Sequence, residues 1–179
     1  MHPSRRSLVL LNVVGGAAVL GSYAFMLATH PGVGDALWGG VPRAWVPLYT
    51  ASMLTATAGY FGFAHHLFLR VDPLVTRFGR LPFAALHVIF ALILLPSAAW
   101  MPLTFAYLAT PSAELFLVVR GVLALVGLGS LALVVALLRM QPRGPRVSWG
   151  FAVAGSVLFV FQTGVLDALV WTHYFPLAP

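Results

Sequence analysis

Five long apolar stretches, separated by short segments that carry most of the charge, constrain the fold of this chain more than any other feature. Each stretch has at least the roughly 20 residues that an α-helix needs to cross the hydrocarbon core of a bilayer. The sequence therefore predicts an all-α fold, a single domain over residues 1–179 that is an integral membrane bundle of five transmembrane helices. The predicted spans cover about residues 7–29, 45–69, 82–108, 112–138 and 148–172.

Composition supports the membrane class. The chain is 60% hydrophobic and 8% charged, whereas about a quarter of the residues in a soluble domain are charged. Its net charge of +6 does not predict a nucleic-acid partner, because the basic residues fall in short loops instead of on one soluble face. The absence of cysteine excludes disulfides, thiolate metal sites and cysteine nucleophiles.

Arginine is distributed unevenly among the predicted loops. One side of a five-span arrangement holds nearly all the loop arginines, and Arg43 alone lies in a loop on the other side. Because cytoplasmic loops carry an excess of basic residues, the N-terminus is predicted to be cytoplasmic and the C-terminus outside. A missed or extra span would destroy this segregation. The arginines on the shared side are Arg5, Arg6, Arg70, Arg77, Arg80, Arg139, Arg143 and Arg146.

The third predicted span contains an irregular stretch, Leu94–Phe105, with the sequence LLPSAAWMPLTF. Pro96 and Pro102 each remove a backbone donor inside the span. In hydrocarbon, the freed carbonyls must be satisfied by neighbouring helices, side chains or water. The stretch is therefore predicted to pack inside the bundle beside a cavity, with Ser97 and Trp100 in the outer half of the membrane. A kinked structural helix without a ligand is the alternative.

Two charged residues are predicted inside spans. Asp167 lies about five residues from the end of the fifth span, and Arg120 about seven residues from the same side of the fourth. At 1.5 Å per residue these depths agree within about 3 Å, so the sequence predicts an Arg120–Asp167 ion pair. Such a pair either fixes the register of two helices or forms a polar element in the wall of a ligand cavity.

The first long loop and the small-residue faces have two interpretations each. His30–Ala44 is rich in Gly and Pro and contains Trp38, so it is either a lid over the end of the bundle or an interfacial loop with an aromatic anchor. Small residues in the first span and at Ala58 and Gly62 allow close helix approach, within one chain or in a homodimer. The small residues of the first span are Gly15, Gly16, Ala17, Gly21 and Ser22.

The chain contains three short aromatic and proline-bearing patches, which are Trp45–Pro47, Trp100–Phe105, and Phe161–Asp167 followed by Trp171. These patches resemble the translocator protein and tryptophan-rich sensory protein family (TspO/MBR, also called peripheral benzodiazepine receptor). The chain departs from the family pattern in places. Asp167 and Ser97 stand where the family has Asn, Leu158 stands where a Trp is expected, and no basic residue follows Tyr174 to complete a cholesterol-recognition pattern.

The resemblance implies five helices and a membrane receptor or binding protein for a porphyrin, another tetrapyrrole or a sterol-like lipid, with a regulatory or transport role. The implied partners are the lipid bilayer, a hydrophobic small molecule and a second copy in a homodimer. No cofactor is required, and porphyrin or haem is the expected ligand. The predicted ligand-binding residues are Trp38, Trp45, Pro47, Ser97, Trp100, Pro102, Phe105, Phe161, Asp167 and Trp171.

Two other functions remain open from the sequence. A membrane haem-b protein would use His65 or His66 with His87, which lie at similar depth on the second and third spans. Histidine at a helix end needs no cofactor to be satisfied, however, so an interfacial position is favoured. A ligand-free accessory or scaffold subunit is the third class. No catalytic constellation or metal-ligand set is predicted, because no nucleophile accompanies the charged pair.

Overall fold

The computed structural model describes residues 2–175, and about 80% of the chain is helical. The all-α prediction is confirmed. The bundle has five long helices, α1 (Pro3–Thr29), α2 (Val46–His65), α3 (Ala85–Ala109), α4 (Ala113–Arg139) and α5 (Arg146–Val160). Two short 3₁₀ turns, Ala36–Trp38 and Arg43–Trp45, lie in the segment between α1 and α2.

Four of the long helical segments are long and apolar enough to cross a membrane, and they are those built on α1, α3, α4 and α5. The helix α2 is not among them, since its threonines, glycines and tyrosines lower its mean hydropathy. It nevertheless presents large apolar side chains outward, as the other helices do. Representative exposed side chains, one from each helix, are Leu20, Leu54, Val88, Leu128 and Phe151.

Two segments widen from the α to the π form. His66–Arg70 continues α2, and Phe161–Trp171, hereafter the wide segment, continues α5 before a final helical turn at Thr172–Tyr174. The helices otherwise begin and end within a few residues of the predicted spans. The largest difference is at α1, which begins at Pro3 because proline is tolerated in the first turn and the His2 ring accepts a hydrogen bond from the Ser4 N–H.

Three two-residue strands join two of the loops, a feature that the sequence did not predict. β1 (Arg77–Phe78) lies between β2 (Leu81–Pro82) and β3 (Met140–Gln141) and is antiparallel to both. The loop after α2 is thereby held to the loop after α4. The Arg5 guanidinium also donates to the Val71 carbonyl. These contacts gather the arginine-bearing segments at one end of the bundle, hereafter the arginine end; the other is the distal end.

The helices are arranged in an order that differs from their order in the chain. Along the bundle α1 packs on α3, α3 on α4, α4 on α5, and α5 on α2. The closest approach is between α2 and α5 at Gly59 and Gly155. A Cβ added at Gly59 would lie 2.5 Å from the Gly155 carbonyl oxygen, so the two backbones touch where no side chain intervenes.

The small residues of α1 do not form one interface. Gly15 packs on α3, where an added Cβ would lie 2.9 Å from a Leu94 methyl carbon. Gly16 and Gly21 have no neighbour within 4 Å of such a Cβ. Of the predicted pair on α2, Gly62 faces α5, and a Cβ added there would lie 3.5 Å from the Phe151 carbonyl oxygen. Close approach within the chain therefore accounts for part of the small-residue pattern.

The proline-containing stretch lies inside the continuous helix α3 and is packed against α4. Just before the stretch, α3 lies against Gly129 of α4, where an added Cβ would lie 3.0 Å from Ile93 Cγ1 and 3.2 Å from the Leu92 carbonyl carbon. Pro96 has no N–H to donate to the Leu92 carbonyl. That carbonyl therefore lies against the backbone of a neighbouring helix. The bundle buries two hydrophobic clusters, and the one nearer the distal end, which includes Tyr49, Phe116 and Trp171, surrounds the candidate site.

Candidate ligand-binding site

The wide segment brings two polar side chains of the same helix together. Gln162 Nε2 donates to Asp167 Oδ1 at 2.8 Å, across five residues. In an α-helix the neighbours on one face are three and four residues apart. The π form hydrogen-bonds across five residues, is rare, and frequently occurs at functional sites. The widening therefore accounts for the Gln162–Asp167 pair.

Trp100 and Trp171 contact each other and two further aromatic rings. The Trp171 ring stacks on Phe175 with 4.1 Å between centroids, and it meets Trp100 of α3 edge-on at 5.8 Å. Tyr23 of α1 contacts Trp100, with 5.6 Å between the two ring centroids. Edge-on and offset contacts of this kind hold large rings in defined orientations. The result is an aromatic site between α1, α3 and the wide segment.

The loop between α1 and α2 covers this site. Trp171 Nε1 donates to the Leu37 carbonyl at 2.8 Å, and the Gly40 N–H donates to the Tyr174 carbonyl at 3.0 Å. Trp38 meets Tyr49 of α2 edge-on at 5.9 Å. Gly40 is required here, because an added Cβ would lie 2.7 Å from the Tyr174 oxygen. These contacts favour a covering loop over a loop that only anchors at the membrane surface.

Two buried polar atoms, one on α3 and one on the wide segment, have no hydrogen-bond partner within residues 2–175. They are the indole Nε1 of Trp100, a donor, and Oε1 of Gln162, an acceptor. Tyr23 connects their surroundings, since it contacts the Trp100 ring and lies within electrostatic range of Asp167. An unpaired buried polar group costs free energy that a partner would recover. The free donor thus lies beside the Trp171 ring, and the free acceptor belongs to the side chain that binds Asp167.

The structure brings some of the predicted binding residues together. Trp38, Trp100 and Trp171 belong to the distal hydrophobic cluster, and Asp167 lies within electrostatic range of Tyr23, which contacts the Trp100 ring. Phe105 is buried, but its ring contacts His30, with 4.8 Å between centroids.

The other predicted residues do not converge on the site. Ser97 donates back to the Ile93 carbonyl of its own helix at 2.7 Å. Trp45 and Phe161 are each 42% exposed, and Pro47 and Pro102 are also exposed. In a helix, a motif residue one or two positions from an inward side chain points in another direction. The short patches therefore mix inward and outward residues.

Tyr23, Tyr49 and Gln162 were missed as site residues. The Tyr49 hydroxyl donates to the Leu166 carbonyl at 3.1 Å and so fixes α2 against the wide segment. Gln162 could have been recognised as a polar residue in an apolar span. Its pairing with a residue five positions away, however, depends on the π form, which the sequence does not reveal.

The predicted Arg120–Asp167 ion pair is not formed. Arg120 is exposed on α4, with its guanidinium carbon 5.8 Å from the centroid of the Phe116 ring. Asp167 instead accepts from Gln162. Among residues 2–175 an ion pair is recorded between the exposed Arg43 and Asp35 at 3.9 Å, and none involves Asp167. Equal depth in the bundle did not mean that the two side chains faced each other.

The histidines of the haem alternative have polar partners on neighbouring helices. His66 is fully buried, and its Nδ1 lies 2.9 Å from Ser148 Oγ at the start of α5. His87 has Ser7 Oγ of α1 2.8 Å from Nε2 and the Ala84 carbonyl 3.1 Å from Nδ1. Iron ligation by His87 would require one of its two contacts to be broken, whereas ligation through His66 Nε2 would leave the Ser148 contact in place. His65 is exposed.

Comparison with known proteins identifies no relative. No protein-family model matches the chain, and no curated protein or solved structure matches it. The resemblance to the translocator protein family therefore stays a prediction that rests on the three short patches.

Proposed function

We propose that the chain is a five-helix integral membrane protein with its arginine end in the cytoplasm, so that the N-terminus is cytoplasmic. The four strongly apolar helical segments and the exposed apolar side chains on all five helices support this proposal. The arginine end gathers the basic loops, as the positive-inside rule requires. The predicted position of the C-terminus outside concerns residue 179, which lies beyond the described residues.

We further propose that the protein binds a flat, largely apolar ligand at the aromatic site under the covering loop, in a regulatory or transport role. The observation that carries this proposal is the unsatisfied buried Nε1 of Trp100 among the aromatic rings, and the unsatisfied Oε1 of Gln162 beside Asp167 supports it. Ligand sites characteristically combine apolar and aromatic walls with a few placed polar groups.

A porphyrin is the ligand that we propose to test first. It has a broad π face for stacking on Trp100, and it carries carboxylate acceptors that fit the free indole N–H. The resemblance to the translocator protein family points to the same class. A homodimer through the open glycines Gly16 and Gly21 remains a prediction.

Titration of the purified protein with protoporphyrin tests this function. The Soret absorbance of the porphyrin is the readout, because it remains comparable when a tryptophan is replaced. Saturable binding is expected for the wild type. Trp100→Phe removes the free N–H and should weaken binding by about tenfold, equivalent to roughly 1.4 kcal/mol.

Trp149→Phe is the matched control, because Trp149 lies near the arginine end and its indole N–H already donates to the Leu137 carbonyl at 2.9 Å. This variant should bind porphyrin as the wild type does. Equal weakening in both variants would place the ligand elsewhere. A Soret band in the protein as isolated would support the haem alternative, and no saturable binding at all would support a ligand-free accessory subunit.

A further inference from the structure

A second concave surface lies between α2 and α5, toward the arginine end. This groove has a volume of about 840 Å³ and is not part of the aromatic site. Its floor is made of small residues, including Ala58, Gly62 and Ala154, next to the Gly59–Gly155 contact. Because the helices touch there without side chains between them, the outer faces of the two helices leave a valley instead of a ridge.

The length of the groove along α5 is close to the thickness of one membrane leaflet. Along α5 its lining residues run from Val147 to Leu158, which is about 16 Å at 1.5 Å per residue. Half of a hydrocarbon core about 30 Å thick is roughly 15 Å. In the membrane orientation proposed above, the groove therefore extends from the cytoplasmic interface to about the midplane, which is the length available to one acyl chain.

Its two ends differ in charge. The walls along the groove are apolar and include the exposed Phe151, whereas the end at the cytoplasmic interface is lined by Arg70 and His65, both exposed. Pro145 also lines the groove, and Arg143 and Arg146 lie within two residues of it in the sequence. The acidic residue nearest in sequence, Asp72, already accepts from the Leu74 N–H. The groove is thus apolar at depth and basic at its mouth.

We propose that this groove binds an anionic phospholipid of the cytoplasmic leaflet, with one acyl chain along the floor and the phosphate at Arg70. Basic pockets between membrane helices on the cytoplasmic side are suited to acidic headgroups. A second copy fits less well, because a copy inserted with the same orientation would bring its own Arg70 and Arg146 to the same level. Like charges placed together at an interface disfavour association.

Competition between two lipids tests the proposal. The purified protein is offered phosphatidylglycerol and phosphatidylcholine with identical acyl chains, and the bound lipid is counted by native mass spectrometry. The wild type should retain phosphatidylglycerol preferentially. Arg70→Gln should lower that preference by about fivefold, the equivalent of roughly 1 kcal/mol for one basic residue at the membrane surface.

Arg80→Gln is the matched control, since Arg80 is an exposed arginine of the same end that does not line the groove. It should leave the lipid preference unchanged. The double change Ala58→Leu with Ala154→Leu fills the floor and should reduce retention of both lipids, while porphyrin binding at the distal end stays the same.

Three results would overturn the proposal. The first is equal retention of the two lipids by the wild type, and the second is an equal effect of Arg70→Gln and Arg80→Gln. The third is a groove-filled protein that retains lipid normally but changes from dimer to monomer, which would identify a second copy as the occupant. Arg70→Gln alters one exposed side chain, so the test stands even where the groove-filled variant does not fold.

Discussion

Asp167 takes its hydrogen bond from its own helix, and this local partner decides what the residue can do. The bond from Gln162 Nε2 satisfies one carboxyl oxygen and leaves Gln162 Oε1 as a buried acceptor. The Arg120 guanidinium lies over the Phe116 ring and forms no ion pair with Asp167. The two residues predicted as an ion pair are therefore energetically separate, whereas Gln162 and Asp167 act as a unit.

Two double-mutant cycles separate these arrangements. The losses in unfolding free energy for Asp167→Ala and Arg120→Gln should add to within about 0.5 kcal/mol. Those for Asp167→Ala and Gln162→Ala should deviate from additivity by about 0.5–1.5 kcal/mol, since either change breaks the same hydrogen bond. Equilibrium unfolding in detergent measures both. Coupling with Arg120, and none with Gln162, would restore the ion pair.

The contact between α2 and α5 depends on two residues that have no side chain. Gly59 and Gly155 each stand where an added Cβ would lie within 2.6 Å of a backbone oxygen of the other helix. Atoms cannot approach this closely, and helix backbone is not displaced as easily as the end of a side chain. The helices would have to separate to accept even one methyl group, and the floor of the groove between α2 and α5 would change with them.

Gly155→Ala tests this contact, with Gly150→Ala as its matched control on the same helix. Overpacking should destabilise the Gly155→Ala protein by about 1–3 kcal/mol or more. A Cβ at position 150 meets nothing within 4 Å, so that variant should be unchanged or more stable by up to about 1 kcal/mol because alanine favours helix. Thermal unfolding in detergent is the measurement, and equal midpoints for the two variants would contradict the tight crossing.

The sequence predicted the long helices to within a few residues because apolar length and charged loops are visible without a structure. It did not reveal the direction in which each side chain points. Apolar residues occur on every side of these helices, so no amphipathic stripe marks the inward face. The wide segment and the two-residue strands were also hidden. The wide segment is a change of helical period inside an apolar run, and the strands are pairings between distant loops.

For the candidate site, the sequence analysis selected the tryptophans and Asp167 but not their partners. Trp100 and Trp171 were visible as members of short motifs, and the structure brings their rings together. Tyr23 was not distinguishable from any other aromatic residue in an apolar span. Its role follows from the packing of α1 on α3, a contact between elements that are not consecutive in the chain.

The whole molecule is polarised along the bundle, with its basic loops at one end and a covering loop at the other. The arginine end is held together by β1–β3 and by the Arg5 contact with Val71. The distal end carries the loop that includes Trp38 and the turn between α3 and α4 at Thr110. In a membrane these two ends face different compartments, which makes the orientation directly measurable.

Single introduced cysteines test this orientation, because the native chain has none. Thr110→Cys at the distal end and Arg80→Cys at the arginine end are both at exposed positions. An impermeant thiol reagent should label Thr110→Cys in intact cells, and Arg80→Cys only after permeabilisation. The reverse pattern would invert the proposed topology, and labelling of both in intact cells would rule out a membrane between them.

The packing of α2 against α5 also has a consequence for biosynthesis. Roughly 80 residues separate the two helices, and a ribosome adding about 5–20 residues per second needs about 4–16 seconds to make them. During that interval α2 has been made, but the helix that contacts its glycine face has not. The α2–α5 contact therefore cannot form before the last helix is made, and the covering loop cannot close before the wide segment that it contacts has emerged.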